Sequence, residues 1–195
     1  MSNTLNPYAA LRKATEHITM LVYKDIESPL GRLTACSSSE GICFLSFNGG
    51  ITHDDGFKSI EDYFKLHAVR GTNNHLENLE NQLSGYFDGK LRQFTVPLDM
   101  AGTPFQKNVW NELLKIKYGS TCTYLEQSVA LGNPKSIRAV AHANGSNRIA
   151  IVIPCHRVVG TDGGLTGYAA GMERKKWLLE HEKKHSGKEY ELSLF

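Results

Sequence analysis

Two threonines fix where helices must begin in the second half of this chain. Thr103-Pro104-Phe105-Gln106 and Thr123-Tyr124-Leu125-Glu126 both have the Thr-x-x-Gln/Glu form in which side chain and backbone cap one another. Pro104 adds a preset φ at the first helical position. After the first box, Phe105, Val109, Leu113 and Ile116 trace one apolar helical face. The second box opens "YLEQSVALG", which stops at Gly132. Asn133-Pro134 then turns the chain, and "KSIRAVAHANG" forms the next helix up to Gly145. Helix, short turn, helix is the outline of a helix-turn-helix. The apolar run "RIAIVIPCHRVVG" reads as a strand and resembles the wing of a winged helix.

The first half has a different rhythm. "TMLVYKDIES", "GRLTACSSS" and "GICFLSFNGG" are strand-like runs broken by the turn signals Ser28-Pro29 and Gly41. In "HLENLENQLSGYFDGKL", Leu76, Leu79, Leu83 and Tyr86 or Phe87 recur at helical spacing, with Gly89 beyond as a stop. The expected fold is α+β. A small sheet-plus-helix domain (20–97) precedes an α-helical winged helix-turn-helix domain (98–185). An extension (1–19) and a tail (186–195) flank them, and "PLDMAGTP" serves as the linker.

Nothing approaches the roughly 18 apolar residues that span a bilayer, and the N-terminus lacks a signal peptide's apolar core. A cytoplasmic protein with no membrane association is expected. Charge is divided unevenly. Residues 1–100 carry 9 Lys+Arg against 12 Asp+Glu, a net −3, and residues 101–195 carry 13 against 8, a net +5. Only the second half is therefore suited to a polyanion. The four cysteines are scattered. Cys36, Cys43 and His53 share a segment but lack zinc-ligand spacing, so no metal is expected.

Cys155 stands directly before His156 and Arg157 in "IPCHRVVG". A thiol reacts as thiolate and needs a base or cation nearby, which both neighbours could supply. On a strand, however, adjacent side chains face apart, so a bend or a bridging water is required. Glu180 and Glu182, on the last helix, are possible orienters of His156. Spacing alone leaves a nucleophile and a buried structural thiol equally open.

The blocks "GTPFQKNVW", "TYLEQSVALGNPKSIRAVAHANGSN", "PCHRVVG", "GLTGYAAG" and "RKKWLLEHE", in that order from Gly102 to Glu182, resemble the O6-alkylguanine-DNA alkyltransferases, the methylated-DNA–protein-cysteine methyltransferases. Residues 20–97 fit that family's ribonuclease H-like N-terminal domain in general shape. The resemblance implies direct reversal of DNA damage, with the alkyl group of O6-alkylguanine or O4-alkylthymine transferred irreversibly to Cys155. Each molecule acts once, as a monomer and without a cofactor. It implies minor-groove binding of double-stranded DNA and a flipped base. His156 would act on Cys155 through a water, Glu182 would orient His156, Tyr124 would protonate the leaving guanine, and Asn147 would fix the segment leading to Cys155. Arg138 would fill the gap in the base stack, with Ser136, Ala139 and Ala141 beside it. Tyr168, Ala169 and Ala170 would close over the base.

Three positions depart from the family pattern. Ala170 replaces a frequent glycine, which predicts a narrower pocket that admits bulky O6-benzylguanine poorly. Arg148 follows Asn147 where proline is frequent. Ala141-His142 replaces a more glycine-rich pair. A lesion-flagging relative without repair activity, a winged-helix regulator and a Cys-His hydrolase are the rival readings. The first would lack the cysteine, and the other two leave the Cys-His-Arg block or the flanking blocks unexplained.

Overall fold

The computed structural model describes residues 20–49 and 53–187. Strands β1 (Leu21–Ile26), β2 (Leu33–Ser37), β3 (Ile42–Phe47) and β4 (Ala68–Arg70) form one sheet in the order β3-β2-β1-β4. The hairpin pairs β1–β2 and β2–β3 are antiparallel, whereas β4 returns parallel to β1. That return passes through helix α1 (His53–Phe64), a helix the apolar pattern did not announce. Helix α2 (Asn74–Phe87) follows, capped by Asn73, whose side chain accepts from the Leu76 amide, and it buries Leu76, Leu79, Leu83 and Tyr86.

Alternation along the strands gives the sheet two apolar faces. On one, Cys36, Cys43 and Phe44 meet Ile60 of α1 in a small cluster. On the other, Leu33, Ala35, Leu45 and Phe47 join α2 and most of the second half in a single large core. That core runs from Ile26 to Leu178, so the two halves share an interior. Leu98 bridges in parallel to Ile42, and Gly41 allows the approach: a Cβ there would lie 2.5 Å from the Pro97 carbonyl oxygen.

Helix α3 (Pro104–Leu113) begins with the expected capping box, Thr103 and Gln106 each bonding the other's backbone. Val109, Trp110 and Leu113 are its buried residues. Phe105, expected on that face, is 43% exposed, because the first turn overhangs the core and Trp110 takes the inward position. Helix α4 (Tyr124–Ala130) carries the second capping box, Thr123 with Glu126. A 3-10 turn (Pro134–Ser136) leads into α5 (Ile137–Gly145). A buried Gln127–Asn144 pair joins α4 to α5, with Asn144 Nδ2 donating to Gln127 Oε1 at 2.7 Å. Trp110 Nε1 donates to the Ala143 carbonyl at 2.8 Å and ties α3 to α5.

The run 148–160 is not a strand. Ile149, Ile151, Val152 and Ile153 are buried in successive turns, Cys155–Arg157 forms a 3-10 turn, and only Val158–Val159 (β6) pairs, in parallel, with Cys122–Thr123 (β5). A short apolar run signals burial whatever its backbone, and here its amides bond within turns and to Leu45 of β3. Helix α6 (Met172–His185) closes the chain's described part. No helix among the described residues is long and apolar enough to cross a membrane.

Candidate active site

The 3-10 turn removes the difficulty that a strand posed for Cys155 and His156. The residues before it are held tightly. Asn147 Nδ2 donates to the Ile153 carbonyl at 2.8 Å and to Cys155 Sγ at 3.1 Å, and its Oδ1 accepts from the Ile149 amide at 3.0 Å. One side chain thus spans the turn that presents the sulfur. Ile151 inside this loop has φ 70°, a left-handed conformation that costs a β-branched residue about 1–2 kcal/mol. It is fully buried, so packing holds it there.

Behind the sulfur lies a buried charge network centred on Glu182, which α6 projects inward one turn beyond Leu178. Glu182 Oε1 accepts from His156 Nε2 at 2.8 Å, Arg157 Nη2 at 2.9 Å and Tyr86 Oη at 2.9 Å. Its Oε2 accepts from Arg157 Nε at 2.9 Å and the Gly119 amide at 3.0 Å. Gly119 has φ 67°, and a Cβ there would meet Ser186 Cβ at 2.5 Å, so glycine is required for that amide to reach. Burial alone would raise the Glu182 pKa, but the bonds from His156 and Arg157 outweigh it and bring it down to about 2. The carboxylate is charged and Arg157 is its counter-ion.

Burial holds the His156 pKa below the usual histidine value, against the pull of Glu182. The imidazole is therefore neutral. Its bond to an ionised carboxylate places the proton on Nε2, and Nδ1 becomes a buried acceptor with no partner among the described residues. Burial also pushes the Cys155 thiol up, more than the Asn147 bond and the Lys175 ammonium pull it down. At rest the sulfur is a protonated thiol awaiting a base.

Over the sulfur sits the loop between β6 and α6. Lys175, fully buried, donates through Nζ to the Val158 and Thr166 carbonyls, each at 2.6 Å, and so ties the loop to β6. Arg174 Nη1 donates to the Ala170 carbonyl at 2.8 Å and Nε to the Leu30 carbonyl at 3.0 Å. Tyr124 Oη faces the Thr166 carbonyl at 3.5 Å. Tyr124, Cys155, Tyr168 and Ala170 lie partly buried against the same core, and the Tyr168 hydroxyl is buried without a partner among the described residues.

The structure thus brings Cys155, His156, Glu182, Asn147, Tyr124, Tyr168 and Ala170 together, with the partly buried Ala169 in the same loop. Arg138, Ala139, Ala141 and Ser136 do not join this cluster. They lie along the outer side of α5 and the turn before it, Arg138 and Ala139 exposed. Glu180 is exposed on α6 and orients nothing, whereas Glu182 is buried. Arg157, a candidate activator of Cys155, serves Glu182 instead. Tyr86, Gly119 and Lys175 were not foreseen. Lys175 shares the buried face of α6 with Leu178 and Glu182, and that spacing was the available signal. The helical stripe marks Tyr86 only as a buried residue, and nothing in the sequence announces its bond to Glu182, 96 positions away.

Two family models match the chain. The DNA-binding domain of 6-O-methylguanine DNA methyltransferase covers residues 104–184, and the ribonuclease-like domain of the same proteins covers residues 21–100. A methylated-DNA–protein-cysteine methyltransferase of Methanosarcina acetivorans is 41% identical over 165 residues, 83% of this chain and 98% of that protein. Among solved structures, the O6-methylguanine methyltransferase of Mycobacterium tuberculosis superposes with a TM-score of 0.72 at 40% identity, covering 85% of this chain and 94% of that one. The Mycobacterium tuberculosis OGT in complex with DNA gives 0.74 at 39% identity, covering 84% and 94%.

Proposed function

Because the chain belongs to the 6-O-methylguanine DNA methyltransferase family and its activity is direct-reversal DNA repair, we propose that Cys155 is the alkyl acceptor and that each molecule acts once. The observation that carries this is the His156–Glu182–Arg157 network set behind a protonated thiol. Glu182 holds His156 with its proton on Nε2 and its lone pair on Nδ1 free. A water bonded to Nδ1 relays the Cys155 proton to the imidazole, and the imidazolium is stabilised by the carboxylate beside it. The thiolate gains the Asn147 N–H bond and the nearby Lys175 charge.

The thiolate then attacks the O6-alkyl carbon. The new S–C bond takes the sulfur's electron pair, and the breaking C–O bond leaves its pair on the guanine. Tyr124 delivers a proton to a ring nitrogen as that charge develops, which restores guanine. The thioether on Cys155 cannot leave again, so the reaction is stoichiometric. O4-alkylthymine presents an alkylated oxygen of the same kind and is the second lesion.

The partner is double-stranded DNA, entered from the minor groove by a monomer. Small residues on the outer side of α5, Ala139 and Ala141, let the helix approach closely while Arg138 reaches into the stack. Tyr168, Ala169 and Ala170 then enclose the flipped base.

The test is mass spectrometry after incubation with an oligonucleotide carrying O6-methylguanine. One methyl group per chain on the Cys155 peptide, absent from Cys155→Ser, is expected. DNA binding without an adduct would instead describe a regulator.

A further inference from the structure

Helix α5 does not end where its outward stripe ends. Arg138, Ala141, His142 and Gly145 follow one another at helical spacing on the outer side, and the last of them opens onto a groove of about 580 Å³. One wall of the groove is α1 with β3, contributing Asp55, Ser59 and Ser46, and the other is the end of α5 with Ser146 and Arg148. Arg148 is half-buried there, and its guanidinium has no hydrogen-bond or ion-pair partner among the described residues. Burial without a counter-charge is costly, and it lowers the Arg148 pKa. Neighbouring backbone is fixed: the Arg148 carbonyl accepts from the Leu45 amide at 2.8 Å, and the Ala150 amide donates to the Leu45 carbonyl at 2.8 Å. The backbone that carries the guanidinium is thus fixed against β3.

Among the described residues, the other titratable groups lining the groove are His142 and Asp55. His142 stands on the α5 wall and Asp55 on the α1 wall, and Asp55 makes no ion pair with Arg148. From Arg138 to Gly145 the helix advances about 10 Å, whereas the minor groove is about 6 Å wide. A helix that crosses the groove with Arg138 in the stack therefore brings its C-terminal end against the bordering sugar-phosphate strand.

We infer that Arg148 is a DNA-positioning residue, its guanidinium taking one backbone phosphate of the strand that borders the minor groove. This rests on the minor-groove reading given above. The phosphate supplies the counter-charge that the fold withholds, and the bidentate fork of arginine suits it. Asp55 opposes the same phosphate and sets an upper limit on the contact. Arg148 also adjoins Asn147, the residue bonded to Cys155 Sγ, so the strand is gripped one residue from the group that holds the nucleophile.

The experiment is a titration of the full chain, in a Cys155→Ser background that stops transfer, with a duplex carrying O6-methylguanine at several salt concentrations. Arg148→Gln should weaken binding about ten-fold near 0.1 M salt, the size of one charge-assisted bond. It should also flatten the slope of log K against log salt by about 0.9. Arg148→Lys should restore the slope, and Asp55→Asn should tighten binding. Unchanged slope and affinity in Arg148→Gln would overturn the inference. So would a lowered Tm with an unchanged slope, which marks a structural role. Failure of the underlying minor-groove reading shows separately, as wild-type binding to the same duplex that a small minor-groove ligand leaves unchanged.

Discussion

Replacing Glu182 by glutamine preserves shape and removes charge, which isolates what the network contributes. The folded carboxylate has its pKa lowered from 4.5 to about 2, a gap worth about 3 kcal/mol. The group is fully buried, so solvent screening does not erode that figure. A second route agrees: removing one partner of a buried ion pair costs about 3–5 kcal/mol, because Arg157 is left uncompensated. The glutamine amide would in addition face N–H donors from Arg157, His156 or Gly119. We expect Glu182→Gln to lose about 3 kcal/mol at pH 7 by urea unfolding and about 10 °C in Tm. The pH dependence has a definite sign. The folded pKa lies below the unfolded one, so the unfolded chain takes up the proton first as pH falls. The contribution is complete above about pH 4.5 and is gone near pH 2. The gap between wild type and variant should therefore narrow through that window, for as long as both chains remain folded. A loss under 1 kcal/mol at pH 7, or a gap that stays constant on acidification, would refute the reasoning.

Asn147→Ala should slow single-turnover methyl transfer by at least ten-fold, since the turn that presents Cys155 loses its bonds to the Ile153 carbonyl and to Sγ; rapid-quench rates within two-fold of wild type would contradict this. Ala170→Gly should speed inactivation by O6-benzylguanine several-fold while methyl transfer changes little, and equal inactivation rates would sink the narrow-pocket reading. Because burial holds the His156 pKa below 6.5, the transfer rate should stay level as pH falls through 6.5 and decline only at lower pH; an inflection at or above 6.5 would show that another group is the base. Tyr86→Phe should cost about 2 kcal/mol, one hydrogen bond to a buried charged carboxylate, in a urea titration.

Local rules carried the sequence reading furthest where the physics is local. Both capping boxes form as spelled, the α2 stripe buries the residues its spacing names, and Gly89 and Gly132 take positive φ just beyond their helices. The motif blocks led to Cys155, His156, Asn147 and Glu182, which the structure brings together. Alternation failed at 148–160, because a run of buried apolar residues such as Ile151, Val152 and Ile153 looks the same in turns as in a strand. Phe105 shows the matching error at a helix end, where the stripe continues in sequence after the core has stopped. The partners of Glu182 were illegible for a further reason. Tyr86 and Gly119 come from distant segments, and only the packing of the two halves decides that they meet.

That packing has a practical corollary. Every group proposed to act on the alkyl group lies after residue 100, yet Tyr86 and the β-sheet core belong to the first half. A cut in the 97–104 connection would yield two fragments that divide the large core between them, and alkyl transfer would return only when they reassociated. A permanent thioether on Cys155 would then be a written record that the two pieces had once been in the same place.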